Sequence, residues 1–129
     1  MVTREAGATT RKAAGEEGEA RALAHLQRHG LVLLQRNYRV ARGPSARGGE
    51  VDLILRDRDG TLVFVEVRVR KSVLFGGAAA SISAAKRRCI VYAAQRYLMR
   101  LATVPPCRFD VVAIDGDDLE WLRGAFDLS

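Results

Sequence analysis

The chain is poor in the residues that would place it in several common classes. Its 129 residues include only two cysteines, Cys89 and Cys107, in no metal-ligand spacing. That excludes a disulfide scaffold and points to a reducing compartment, the cytoplasm. The two histidines, His25 and His29, lie four apart, but no HExxH glutamate or cysteine accompanies them, so zinc is not expected there. No stretch approaches the roughly 18 apolar residues of a membrane span. MVTREAGATTRK lacks an apolar segment and carries Glu5, which does not fit a secretory signal. Gly43, Gly48 and Gly49 do not make G-x-G-x-x-G, so no dinucleotide site is indicated.

Acid is also missing, but only locally. Residues 86–100 hold Lys86, Arg87, Arg88, Arg96 and Arg100 without a single carboxylate. Residues 1–47 hold nine Arg or Lys against four Glu, whereas 109–129 hold six acids against Arg123. The net charge is +6. A basic front and an acidic tail suit a polyanion-binding face, with nucleic acid the expected ligand. Solvated surfaces on an arginine-rich chain would leave the same trace.

Against that background, GGEVDLILRD and TLVFVEVRVR carry strict alternation and many β-branched residues, the mark of strands. They surround Arg58-Asp59-Gly60. A two-residue loop would set Asp52 against Val65, with Asp52 and Glu66 on opposite faces. A three-residue loop, with glycine at its left-handed position, sets Asp52 against Glu66. Directly opposed side chains share a face with Cβ atoms roughly 5 Å apart. Two carboxylates that close repel unless a divalent cation lies between them. Arg68 emerges on the same face as Glu66, and Glu50 on the face of Asp52. A salt-bridged cluster is the competing reading.

The remaining chain supplies one domain. Residues 1–14 are polar and unpatterned, a disordered basic arm, and residues 15–129 form the domain. A helix is expected from Gly15 to a stop at Gly30, with Ala20, Leu23, Ala24 and Leu26 inward. LVLLQRNYRV (31–40) reads as the first strand and ARGPSARGG (41–49) as a cationic loop. KSVLFGGAAAS (71–81) has no strand pattern. A second helix runs from about Ser81 to Leu101, capped by Ser81 or Ser83. RFDVVAID (108–115) and a short LEWL (119–122) complete the order αβββαββ, a mixed β-sheet flanked by helices.

These residues resemble a known pattern. GGEVDLILRD followed by LVFVEVRVR is similar to the PD-(D/E)xK nuclease core, an acid on one strand and E-x-K on the next. With GEEGEARALAHL, FGGAAASISAAKRR and CRFDVVAIDGDDLEWLRGAF in this order, residues 15–126 resemble the YraN-like (UPF0102) family of predicted endonucleases, related to Holliday-junction resolvases. The resemblance implies a restriction-endonuclease-like fold and hydrolysis of DNA phosphodiester bonds, branched DNA included. It implies Asp52 and Glu66 as metal ligands, joined by Glu19 from the first helix. Arg68 stands where the nuclease pattern usually has Lys. Because resolvase-like enzymes pair two sites, it also allows a homodimer.

The chemistry constrains the parts. A site made only of carboxylates suits Mg²⁺ or Mn²⁺. Arginine stays protonated, so Arg68 can grip a phosphate but cannot take a proton. That leaves activation of water to the cation, or to Glu50 or Glu19. Arg47, Arg70, Lys71, Lys86 and Arg87 are expected to contact nucleic acid, Lys86 and Arg87 from a helix start that suits phosphates. Two other classes stay open: a non-catalytic nucleic-acid-binding module with a nuclease fold, and an interaction protein with a basic face.

Overall fold

The computed structural model describes residues 11–42, 48–70 and 82–127, arranged as α1 (Arg11–Arg28), β1 (Val32–Val40), β2 (Gly49–Arg56), β3 (Leu62–Arg70), α2 (Ala84–Leu98), β4 (Cys107–Asp115) and β5 (Asp118–Phe126). The five strands lie in chain order across one sheet. Only β3 and β4 are parallel, joined by the crossover that contains α2. The result is the expected mixed sheet in αβββαββ order with one helix on each face, consistent with a restriction-endonuclease-like core. No helix among the described residues is long and apolar enough to cross a membrane.

Each face buries its own aliphatic cluster. On one, Ala22 and Leu26 of α1 pack on Leu53, Leu55, Val63, Val65, Val112 and Ile114. On the other, Ile90, Ala93, Ala94 and Leu98 of α2 pack on Val51, Ile54, Phe64 and Phe109. Both faces of β2 and β3 are therefore covered, which explains their near-continuous apolar runs.

Four local expectations need correction. The first helix starts at Arg11, ahead of Gly15, and ends in a turn before Gly30, whose φ is 93°. Its inward face is also different: Ala22, not Ala20 or Ala24, is buried beside Leu26, and Ala20 and Ala24 are exposed. At Gly18 the helix passes close to the sheet, against Val67, Val69 and Ile114, and that approach sets its rotation. β5 continues to Phe126 rather than stopping at Leu122. Fully buried Asp110 accepts hydrogen bonds from Gly124 N (2.9 Å), Trp121 Nε1 (2.9 Å) and Arg108 Nε (3.1 Å), so the strand survives the left-handed bend at Gly124. Phe126 then stacks on Phe109. The second helix is shorter than expected at both ends, and Ser83 caps it by accepting from Lys86 N. Ser81, Arg47, Lys71 and residues 1–10 lie outside the described residues.

β2 meets α2 at Gly49. A Cβ there would stand 2.5 Å from the Cys89 carbonyl oxygen and 2.8 Å from Ala93 N, both backbone atoms that cannot step aside. Gly49→Ala is expected to lower the melting temperature by about 7 °C, for an overpacking cost of about 2 kcal/mol. Thermal unfolding by circular dichroism checks this.

Candidate metal and phosphate site

The hairpin between β2 and β3 decides what meets at the site. Asp57 N donates to the Thr61 carbonyl (2.9 Å) and Gly60 N to the Asp57 carbonyl (3.0 Å), with Gly60 at φ 91°. This is the three-residue loop, and the ladder above it pairs Arg56 with Leu62 through Leu53 with Val65. One step further, Asp52 stands across from Glu66. There the ladder stops: Asp52 Oδ2 accepts from Val67 N at 2.8 Å, taking the place of a backbone carbonyl. The strands fork at that point, with both carboxylates in the opening.

Their electrostatics follow from this placement. Glu66 is only 4% exposed. Burial first, and then the charge of Asp52, push its carboxyl up to about 8, against the opposing pull of Lys86 and Arg68. Burial likewise raises Asp52, against the Val67 amide and Lys86. The charge of Asp52 falls on Glu66, so the two carboxyls titrate together rather than independently. Arg68 Nη1 lies 3.8 Å and Lys86 Nζ 3.9 Å from Glu66 Oε2. Glu66 Oε1 is buried without a hydrogen-bond partner among the described residues.

Asp110 makes the contrast. It is equally buried, yet its carboxylate is surrounded by donors from Arg108, Trp121 and Gly124. An acid so satisfied is a structural clamp. Glu66 keeps one oxygen unserved among the described residues beside a second acid, an arrangement that costs stability.

The other expected residues are placed as follows. Glu19, on α1, lies near enough to Asp52 for that charge to raise its carboxyl, after the larger effect of burial. Glu50 is paired with Arg39 at 3.2 Å and acts on Asp52 through its charge. Lys86 reaches the carboxylates, whereas exposed Arg87 lies along a separate groove of about 1290 Å³ with Arg42, Arg88 and Tyr92. That groove contains none of the site's acids, so its size does not mark the chemistry. Arg70 ends β3. His25 and His29 stack edgewise on Trp121.

Two residues were missed by sequence reasoning. Arg36 acts on Glu19 through its charge, and Asn37, across β1 from Asp52, bends the strand with a φ of 51°. An asparagine in mid-strand was the available signal, because asparagine tolerates left-handed backbone far better than most residues.

Does this site suit a divalent cation? Among the described residues no three acids, histidines or cysteines converge on one point. Mg²⁺, however, is commonly held by one or two carboxylates with water and substrate phosphate completing its shell. The Asp52–Glu66 pair, with its unserved oxygen, fits that mode.

Residues 18–114 match the model of "Uncharacterised protein family UPF0102". The chain is 65% identical over 120 residues to UPF0102 protein Mpe_A3766 of Methylibium petroleiphilum, covering 93% of this chain and 98% of that one. It is 61% identical over 126 residues to a UPF0102 protein of an Acidovorax species, covering 98% and 93%. A UPF0102 protein of Paracidovorax citrulli is 64% identical over 119 residues, covering 92% and 86%. The chain belongs to the UPF0102 family, the YraN-like group.

Proposed function

We propose that this protein is a metal-dependent endonuclease that hydrolyses DNA phosphodiester bonds, with branched DNA among its substrates and Mg²⁺ or Mn²⁺ as its cofactor. The observation that supports this reading is the buried Glu66 carboxyl, set across from Asp52 where the two strands fork, with one oxygen that has no hydrogen-bond partner among the described residues. Asp52 and Glu66 would hold the cation. When bound, it supplies charge cancellation on the phosphoryl oxygens and a more acidic water.

The remaining roles belong to side chains. Arg68, partly exposed beside Glu66, grips the scissile phosphate and stabilises charge in the transition state. Lys86 approaches the same Glu66 oxygen from α2 and takes the part that the usual β3 lysine plays, orienting the attacking water. Arginine at 68 and lysine on the helix thus divide one task between two elements. Lys86→Met is expected to lower the cleavage rate about 30-fold, and adding Arg68→Lys to restore most of it, since the lysine then returns on β3. Single-turnover cleavage of the three proteins checks this.

That no trio of ligands converges among the described residues favours one second reading, a DNA-binding module without useful turnover. Linear, flap and four-way DNA incubated with Mg²⁺ or Mn²⁺ separates the two. Cleavage that depends on Asp52 supports the nuclease. Salt-sensitive binding without cleavage of any substrate supports the module.

A further inference from the structure

Ala84, Arg87, Arg88, Val91, Tyr92 and Gln95 recur at the three- and four-residue spacing that lines one side of a helix, and they form one wall of the groove of about 1290 Å³. The start of β4 and the end of β5 form the other, through Cys107 and Phe126. From Ala84 to Gln95 the groove follows α2 for roughly 16 Å. Lys86, which reaches Glu66, directly precedes Arg87, so the groove opens beside the acid pair and leads away from it. Its lining has two zones. Val91, Tyr92, Cys107 and Phe126 are half-buried, whereas Arg42, Arg87 and Arg88 are exposed. Arg108 also lines it, but its guanidinium is held by Asp57 and Asp110. Asp127 is the one acid along it among the described residues. Phe126 is the last of three stacked rings: Phe64 lies on Phe109 with centroids 5.5 Å apart, and Phe109 on Phe126 at 4.9 Å. The first two are buried in the core and the third is half-buried at the groove. Arg42 lies over the Tyr92 ring at 4.1 Å, which holds its charge on the groove instead of out in solvent.

We propose that this groove binds a single strand of DNA, with phosphates on Arg42, Arg87 and Arg88 and bases stacked on Phe126 and Tyr92. Its length suits roughly four nucleotides at the ~3.4 Å spacing of one strand. The proposal deepens the nuclease reading by naming a single-stranded arm as the feature of the DNA that is recognised, and it rests on that reading only for what happens at the acids. A duplex hides its base faces in the stack and would use the arginine rim alone. An acidic peptide would likewise match the charge and leave the aromatic floor unused. A single strand offers both charge and flat π-faces, the combination that single-strand sites use. A base placed on Phe126 adds a fourth ring to the column begun by Phe64.

The test is fluorescence anisotropy with the whole chain in EDTA, where no metal-dependent step takes part. A labelled oligothymidylate of about 12 nucleotides is expected to bind about 30-fold more tightly than an abasic strand of the same length, because only the first can stack. Phe126→Leu keeps an apolar side chain and should weaken the thymidylate about 10-fold while leaving the abasic strand unchanged. Arg87→Gln combined with Arg88→Gln should weaken both strands and flatten the slope of log affinity against log salt by about 1.4, for two phosphate contacts. These arginines are exposed on α2, so their replacement does not threaten the fold. Melting temperature shows whether Phe126→Leu is folded; if it is not, the abasic comparison and a crosslink decide. Photocrosslinking of a bromouracil-substituted strand to wild type, mapped by mass spectrometry, should mark Tyr92 or Phe126. Equally tight binding of the abasic strand or of poly-aspartate of matched charge, wild-type affinity in folded Phe126→Leu, or crosslinks only outside the groove would each overturn the proposal. Mg²⁺- or Mn²⁺-dependent cleavage by a protein that fails these tests would leave the nuclease reading standing. Groove binding that passes them without cleavage of any DNA would overturn the nuclease reading and leave the groove.

Discussion

Replacing Asp52 by asparagine is expected to lower Mg²⁺- or Mn²⁺-dependent DNA cleavage by about 10³-fold while leaving the fold intact. Asparagine keeps an oxygen to accept from Val67 N, the 2.8 Å bond that closes the fork. What it loses is a full negative charge beside Glu66. A cation left with one carboxylate is bound weakly and is poorly placed to cancel charge on the phosphoryl oxygens. Removal of a single electrostatic contributor elsewhere costs about 10²–10³ in rate. Loss of a metal ligand belongs at or above the upper end of that range. DNA affinity should change little, because phosphate contacts come from the cations around the site rather than from its acids. Single-turnover cleavage and a binding titration on the same DNA measure both quantities. Wild-type cleavage by the variant would move any activity away from this site.

The same acids should make the metal-free protein sensitive to alkali. Glu66 has a folded-state value of about 8, against 4.5 when free in water. A carboxyl so raised binds its proton more tightly in the folded state. Its contribution to stability is complete below about pH 4.5 and is lost as pH rises through about 8. Asp52 is shifted in the same direction and adds to the trend. His25 runs the other way: burial lowers it, so its contribution is lost as pH falls below the ordinary histidine range. The comparison that isolates Glu66 is wild type against Glu66→Gln. Glutamine cannot ionise, so the variant should melt about 10 °C above wild type at pH 9 and close to it at pH 5. That difference corresponds to a cost on the order of 3 kcal/mol. Mg²⁺ should raise the wild type at pH 9 and leave Glu66→Gln nearly unmoved. A wild-type melting temperature that is flat between pH 5 and 9, matched by the variant, would contradict the buried pair.

Replacement of Glu66 is thus expected to stabilise the metal-free protein in alkali. This separates Glu66 from Asp110. Both are buried acids, but removal of Asp110 would orphan Trp121 Nε1, Gly124 N and Arg108 Nε together. Their sequence settings, FVEVRV and RFDVVAI, are nearly interchangeable as strand patterns. Only their neighbours across the sheet tell them apart.

Several features were readable from local chemistry because they depend on residues near one another in the chain. Alternation marks β2 and β3, glycine at position 60 selects the hairpin loop, and the loop sets the register that brings Asp52 to Glu66. Ser83 and Gly30 mark helix ends for the same reason. The inward face of α1 was misjudged because rotation depends on the approach of Gly18 to β3 and β4, about which the helix's own periodicity says nothing. β5 was cut short because Arg123-Gly124 looks like a break until Asp110 is known to hold it.

The amino-acid order by itself therefore determined the hairpin, its register and the confrontation of two acids, since a tight turn fixes pairing within a few residues. Tertiary structure alone decided which charges meet that pair. Lys86 arrives from α2 and Glu19 from α1, through contacts between segments far apart in the chain. Local propensity has no reach over such distances. Packing of the two helices on opposite faces of the sheet does.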